Sequence, residues 1–232
     1  MTVSVKLHPL FPEIYLVKLE DGSRKLATKN LAEGNSVYGE RLVRVEGSEY
    51  RLWDPFRSKL AAAILNGLET VPVYPSERVL YLGAASGTTP SHISDIVGEN
   101  GHVYCVEFAS RSLRELVNNV VAFRYNMSPI LADARLPKSY LRMVELVNTV
   151  YSDVAQPEQA RLLADNADMF LLDKGWVILT IKAQSIDVTK DPSVVFKKEI
   201  VILESRGFRV NQVVSLEPFD KAHAMVVAQK IV

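Results

Sequence analysis

The segment Gly83-Ala84-Ala85-Ser86-Gly87-Thr88-Thr89 follows the apolar run Val79-Leu80-Tyr81-Leu82 and precedes a stretch with helical patterning. Glycines at a strand-to-helix turn let the backbone approach a ligand closely, and the start of a helix offers unpaired N–H donors. The spacing is G-x-A-x-G, with Thr88 at the sixth position. It departs from the dinucleotide fingerprint G-x-G-x-x-G and carries no Walker lysine. The bland alternative is a tight turn that holds nothing.

Acids stand at the ends of three further β-like runs. Glu107-Phe108 lies about 20 residues beyond the loop, where a carboxylate can accept from both ribose hydroxyls of a nucleoside. Asp133-Ala134 could accept from an adenine amino group, or Asp133 could merely cap the next turn. Ser152-Asp153-Val154-Ala155-Gln156 ends the fourth run. In an open α/β sheet the carboxyl ends of the strands line one crevice, and independent surface acids would not need this placement. The joint pattern predicts a nucleoside site.

Lys182 closes the apolar run Val177 to Ile181. A partly desolvated lysine can serve as a base, whereas the alternative is a stem that snorkels at a strand end. Asp153 could orient such a lysine or act as a helix N-cap, because Pro157 follows. Cys105, between Tyr104 and Val106, reads as a core residue. The four histidines and one cysteine show no metal-ligand spacing.

These side chains must be positioned by an alternation of strands and helices. Strands are predicted near 79–82, 103–106, 128–131, 148–152 and 176–182. Helices are predicted near 89–98, 111–124, 138–146, 157–171 and 193–205, with Ser112 and Glu115 as a capping box in the second. Such alternation argues for a parallel sheet covered on both faces. Phe208 to Leu216 and Ala224 to Ile231 then follow each other across too short a connection for a crossover helix, so they must pair antiparallel. A parallel sheet ending in a hairpin is the arrangement of class I S-adenosylmethionine-dependent methyltransferases.

Residues 1–54 have a different texture. The runs Ile14 to Leu19 and Val37 to Val45 are broken by Asp21-Gly22 and Glu46-Gly47-Ser48, which predicts a small antiparallel sheet unit. Asp54-Pro55 reads as a helix start, Asp as N-cap and Pro at the first helical position, followed by Phe56, Leu60, Ala63 and Ile64 at helical spacing. Residues 55–232 then form the second domain.

The 27 basic and 27 acidic residues among 232 cancel. Strong unassisted binding to nucleic acid, which relies on neutralising phosphates, is therefore disfavoured. No apolar run approaches the ~18 residues of a membrane span. Met1 to Phe11 lack a signal-peptide layout, and the lone cysteine fits a reducing compartment.

The segments Trp53-Asp54-Pro55-Phe56-Arg57-Ser58-Lys59-Leu60-Ala61-Ala62, Leu82 to Thr89, Val106-Glu107-Phe108, Ala132-Asp133-Ala134-Arg135, Ser152 to Pro157, Ile181-Lys182-Ala183 and His223-Ala224-Met225-Val226-Val227 together resemble fibrillarin, the 2′-O-ribose methyltransferase family of box C/D ribonucleoproteins. The resemblance spans nearly the whole chain. Without a Gly/Arg-rich N-terminal extension it looks like the archaeal form, which implies a cytoplasmic location.

That resemblance implies S-adenosylmethionine as methyl donor and no metal. It implies ribosomal RNA, with precursor tRNA as a further acceptor, at sites chosen by a box C/D guide RNA. A Nop-type coiled-coil scaffold and a kink-turn-binding protein are the implied partners. Donor-binding positions carry over to Gly83, Ala84, Ala85, Gly87, Thr88, Thr89, Glu107, Phe108, Asp133, Ala134 and Asp153 to Gln156 (Val154 and Ala155 included). The family's catalytic Lys-Asp-Lys-His set carries over to Lys59, Asp153, Lys182 and His223. On residue patterns alone Lys59 could be a solvated helix lysine and His223 a turn histidine. A methyltransferase acting on protein side chains such as glutamine is the alternative function.

Overall fold

In the computed structural model, which describes residues 3–231, the N-terminal runs close into a five-stranded antiparallel sheet. Its strands are β1 (Ser4–Leu7), β2 (Ile14–Lys18), β3 (Arg24–Lys29), β4 (Leu42–Val45) and β5 (Ser48–Trp53), in the order β1-β2-β3-β5-β4. The Asp21-Gly22 turn joins β2 to β3: Gly22 takes φ +84° and Asp21 Oδ1 accepts from Ser23 N at 2.9 Å. The run from Val37 is strand only from Leu42 onward. The Glu40 carboxylate accepts from Val37 N and Tyr38 N, which folds 37–40 into a turn.

Seven further strands form the second sheet: β6 (Arg78–Leu82), β7 (His102–Glu107), β8 (Met127–Leu131), β9 (Val147–Ser152), β10 (Leu171–Lys182), β11 (Phe208–Ser215) and β12 (His223–Lys230). The order is β11-β12-β10-β9-β6-β7-β8; β12 runs antiparallel to both neighbours and β6 to β10 are mutually parallel. Chain order reverses between β6 and β9, so a crevice opens there at the carboxyl ends. Helices α1 (Lys59–Leu65), α2 (Thr88–Val97), α3 (Ser110–Asn119), α4 (Gln159–Phe170), α5 (Ala183–Ile186) and α6 (Pro192–Ser205) complete the fold. Alternate strand residues feed two cores. Val79, Tyr81, Cys105 and Ile178 meet α1, α2 and the N-terminal sheet, while Leu80, Val106, Val150 and Leu179 meet α4 and α6.

Three local expectations fail. Asp54-Pro55 does not begin a helix: Arg57 N and Ser58 N both donate to the Asp54 carbonyl, Phe56 N donates to Asp54 Oδ1, and α1 starts only at Lys59. The tight turn swings Phe56 out to 70% exposure and makes Lys59 the first helical residue. Ser112 caps nothing, because α3 begins at Ser110 and has no side-chain cap. Residues 138–146 form only the 3₁₀ turn Pro137–Tyr140. Tyr140 and Val144 alone reach the core there, and so short a stretch has too little burial to offset helix nucleation.

The two sheets are joined through a buried ionic layer. Arg51, fully buried on β5, donates to Glu40 Oε1 at 2.6 Å, to Asp95 Oδ2 at 2.9 Å and to Ser91 Oγ at 2.9 Å. Asp95 also receives Arg124. His92 lies within this layer, its ring stacked on Trp53 at 4.6 Å. Thr28 gives its hydroxyl proton to Asp95, so its oxygen accepts from His92 Nδ1–H; Nε2 is left to accept the single Tyr38 hydroxyl proton at 2.8 Å, in preference to the more distant Leu52 carbonyl at 3.2 Å. The neutral ring is thereby satisfied at both nitrogens.

Burial, with Arg51 and Arg124 nearby, holds the His92 imidazolium well below the ordinary histidine range. The folded value is depressed, so the unfolded chain binds more protons, and stability must fall as pH drops below about 6.5. His8 and His102 are also held down by burial; the informative quantity is thus the difference between wild type and His92→Gln. Between pH 7.5 and 5.5 the wild type should lose about 1.4 kcal/mol more than the variant in urea unfolding. Parallel losses would refute the neutral assignment.

Candidate active site

The crevice floor is built by the loop after β6. Gly83 N and Ala84 N donate to Val106 O at 2.9 and 3.2 Å, stitching the loop to β7. Gly83 takes φ +81°, and a Cβ there would stand 3.0 Å from the Asp153 carbonyl oxygen. Only glycine lets the ends of β6 and β9 come this close. Gly87 has another function. At φ +96° it precedes α2, and its missing Cβ would lie 2.6 Å from Leu116 Cδ1, so it admits α3 rather than a ligand.

Glu107 braces the loop: Oε2 accepts from Ala85 N and Oε1 from Ala109 N, each at 2.9 Å. Each oxygen keeps a further lone pair for a ligand hydroxyl. Asp133 is gripped by the Arg135 guanidinium through both oxygens, at 2.6 to 3.0 Å, and accepts from Arg135 N. Those hydrogen bonds from Arg135 hold its carboxyl below the usual range, so Asp133 is an ionised acceptor near neutral pH. Together with Gly83, Ala85, Phe108, Ala134, Asp153, Val154, Ala155 and Gln156, these acids line a pocket of about 260 Å³. The Phe108 ring is 69% exposed. Ala84, Gly87, Thr88 and Thr89 do not line it; Thr89 is buried, 3.0 Å from Ser58 Oγ.

The four candidate catalytic residues converge at the mouth of this pocket. Strand register puts Lys182 directly opposite His223 across β10 and β12. Leu179 pairs with Ser152, which sets the start of the next loop, Asp153, beside the end of β10. Lys182 Nζ donates to the Asp153 carbonyl at 2.7 Å and lies 2.9 Å from Asp153 Oδ1, the latter an ion contact off the hydrogen-bonding direction. Lys59 Nζ approaches both Asp153 oxygens at 3.3 Å. Asp153 is no helix cap, since α4 starts at Gln159 after Glu158.

Asp220 extends the chain of charges. It lies 3.8 Å from Lys59 Nζ and 2.9 Å from His223 Nδ1, and that nitrogen also meets Lys221 O at 2.7 Å. The residue patterns give no sign of Asp220, which sits in the turn between β11 and β12. The same is true of Gln159, whose Oε1 accepts from Lys182 N at 2.9 Å and fixes the strand end beneath the ammonium. One carboxylate thus stands between two ammonium groups, beside a nucleoside-sized pocket, in a setting able to hold a hydroxyl and stabilise negative charge on its oxygen. Cys105 is fully buried and its thiol is pushed up by burial, which removes it as a nucleophile.

The fibrillarin family model matches residues 5–232. The chain belongs to the fibrillarin family. A curated relative from Staphylothermus marinus, the fibrillarin-like rRNA/tRNA 2′-O-methyltransferase, is 56% identical over 227 residues, covering 98% of this chain and 97% of that protein. Aeropyrum pernix fibrillarin, solved with natively bound S-adenosyl-L-methionine, superposes with a TM-score of 0.92 at 53% identity, covering 98% of this chain and 99% of that one. The fibrillarin of a fibrillarin/Nop5p complex gives 0.85 at 40% identity, covering 96% and 100%. The seven-stranded sheet with its terminal antiparallel hairpin is the class I S-adenosylmethionine-dependent methyltransferase fold, and the match to Aeropyrum pernix fibrillarin extends over the five-stranded sheet as well.

Proposed function

We propose that this chain methylates ribose 2′-hydroxyls of ribosomal RNA, and of precursor tRNA, with S-adenosylmethionine as donor. Target sites are chosen by a box C/D guide RNA in a particle with a Nop-family scaffold and a kink-turn-binding protein. The observation that carries the reading is the Lys59–Asp153–Lys182 cluster at the mouth of the Glu107/Asp133 pocket. The names of the relatives and the Nop5p complex support the acceptor and the scaffold.

The pocket suits the donor. Glu107 offers lone pairs to ribose hydroxyls, ionised Asp133 to an adenine amino group, and Phe108 an exposed ring face. When bound, the donor supplies a methyl group on a sulfonium that departs as a neutral thioether. The protein's share is positioning and proton handling. Lys182, held by Asp153, directs an N–H toward the 2′-oxygen and stabilises the charge that develops there. Lys59 balances the Asp153 carboxylate from the other side; Asp220 contacts Lys59 and is itself held by His223, a pair that offers the departing proton a route to solvent. The neutral chain accords with recognition delegated to guide pairing.

A radiolabelled methyl-transfer assay tests this reading. With scaffold, kink-turn protein, guide RNA and matched substrate present, label is expected at one ribose 2′-oxygen, and none with the chain alone. Label on a protein glutamine, with none on RNA, would replace the reading by the protein-directed one.

A further inference from the structure

A second concavity, about 440 Å³, lies on the N-terminal sheet beside the reacting cluster. Its walls carry Lys25, Arg41 and Arg57, all exposed, and Tyr38 and Phe56 supply aromatic surface. Among the described residues none of these three cations enters an ion pair; Arg57 lies over the Tyr38 ring, 5.8 Å from its centroid. Of the two acids of the groove, Glu40 is buried against Arg51 and the N–H groups of Val37 and Tyr38, so Asp54, which accepts from Phe56 N, is left as one negative charge against three cations. The groove therefore presents excess positive charge on a chain whose net charge is zero.

The groove is continuous with the active site. Phe56 stands three residues before Lys59 and meets Phe219 edge-on, with centroids 5.1 Å apart at 75°. Phe219 adjoins Asp220, which contacts both Lys59 and His223. The Phe56–Phe219 pair thus links the cationic groove, which Phe56 lines, to Asp220 and Lys59.

The geometry points to this groove as the track for the phosphate backbone of the RNA strand flanking the methylated nucleotide, with Lys25, Arg41 and Arg57 each taking a phosphate. It rests on the RNA-methyltransferase reading and adds a positioning surface to it. Three cations cannot read sequence, but they can fix where a guide-paired strand lies relative to Lys182. An acidic protein segment would need the same charges, so the test separates the two.

The test uses the assembled particle with Lys25→Gln/Arg41→Gln, neither residue being near the reacting atoms. KM for substrate RNA should rise about tenfold with kcat unchanged, and the slope of log affinity against log salt should flatten by about 2, one per phosphate contact. Binding of S-adenosylmethionine to the isolated variant checks its fold; should the pair misfold, each single variant should show half the change in slope. Unchanged KM and slope would overturn the inference. So would loss of scaffold capture at normal RNA affinity, which would assign the groove to a protein. Absence of RNA label with the wild-type particle would instead remove the function reading itself.

Discussion

Asp153→Asn is expected to lower single-turnover ribose methylation in the assembled particle by roughly 10²–10³-fold, the range for losing one preorganised electrostatic partner. The amide is isosteric but uncharged. Lys182 and Lys59, at 2.9 and 3.3 Å from the carboxylate, would then face each other as like charges. The Lys182 ammonium would keep the Asp153 carbonyl as its acceptor but lose the carboxylate that holds it toward the crevice. Binding of guide and substrate RNA should be unaffected, because sequence recognition lies in base pairing. A variant that turns over within threefold of wild type, with RNA bound, would reduce Asp153 to a structural role. Lower affinity for the donor is a separate expected effect, since Asp153 also lines its pocket.

Arg51→Met should cost about 3–5 kcal/mol, the penalty for breaking a buried ion pair by removing one partner. Glu40 and Asp95 would remain buried, Asp95 with Arg124 as its one cation beside the Thr28 hydroxyl and Leu31 N, and Glu40 with backbone N–H groups. Burial raises the Glu40 carboxyl, but Arg51 and those N–H groups outweigh it and hold it below the usual range; without Arg51 that balance is lost. For a chain of this size the melting temperature should drop by about 6–20 °C, measured by calorimetry at neutral pH. A drop below 2 °C would mean that the ionic layer contributes little and that the sheets hold together by apolar contact. The layer has a functional consequence as well. It fixes the N-terminal sheet against α2, and the cationic groove reaches Lys59 only in that arrangement.

Strands and helices of the second domain are legible because their periodicities are local. Val79 to Leu82, Val103 to Val106 and Val177 to Ile181 are apolar runs bounded by turn residues, and each folds as a strand. The hairpin at the end follows from the short link between Ser215 and His223. The acids Glu107, Asp133 and Asp153 are legible as one site because parallel strands place their carboxyl ends on one edge. What failed is equally local. The Asp54 turn and the 3₁₀ turn at Pro137 depend on which backbone group captures a nearby N–H and on how much apolar surface is buried, and composition does not reveal either.

By itself, then, the sequence determined the fold class, the antiparallel N-terminal unit, the gathering of three strand-end acids at one crevice and the resemblance to fibrillarin, since each rests on neighbouring residues or on a strand-end rule. Tertiary structure decided the rest. Lys59 and Asp153 are 94 residues apart in the chain; the resemblance groups them, but no residue pattern in either segment says that they meet. Asp220 reaches Lys59 because β12 returns beside β10, and Arg51 finds Asp95 because the first sheet packs on α2. Contacts between distant segments depend on how whole elements dock, a sum over many weak interactions that no single stretch of residues encodes.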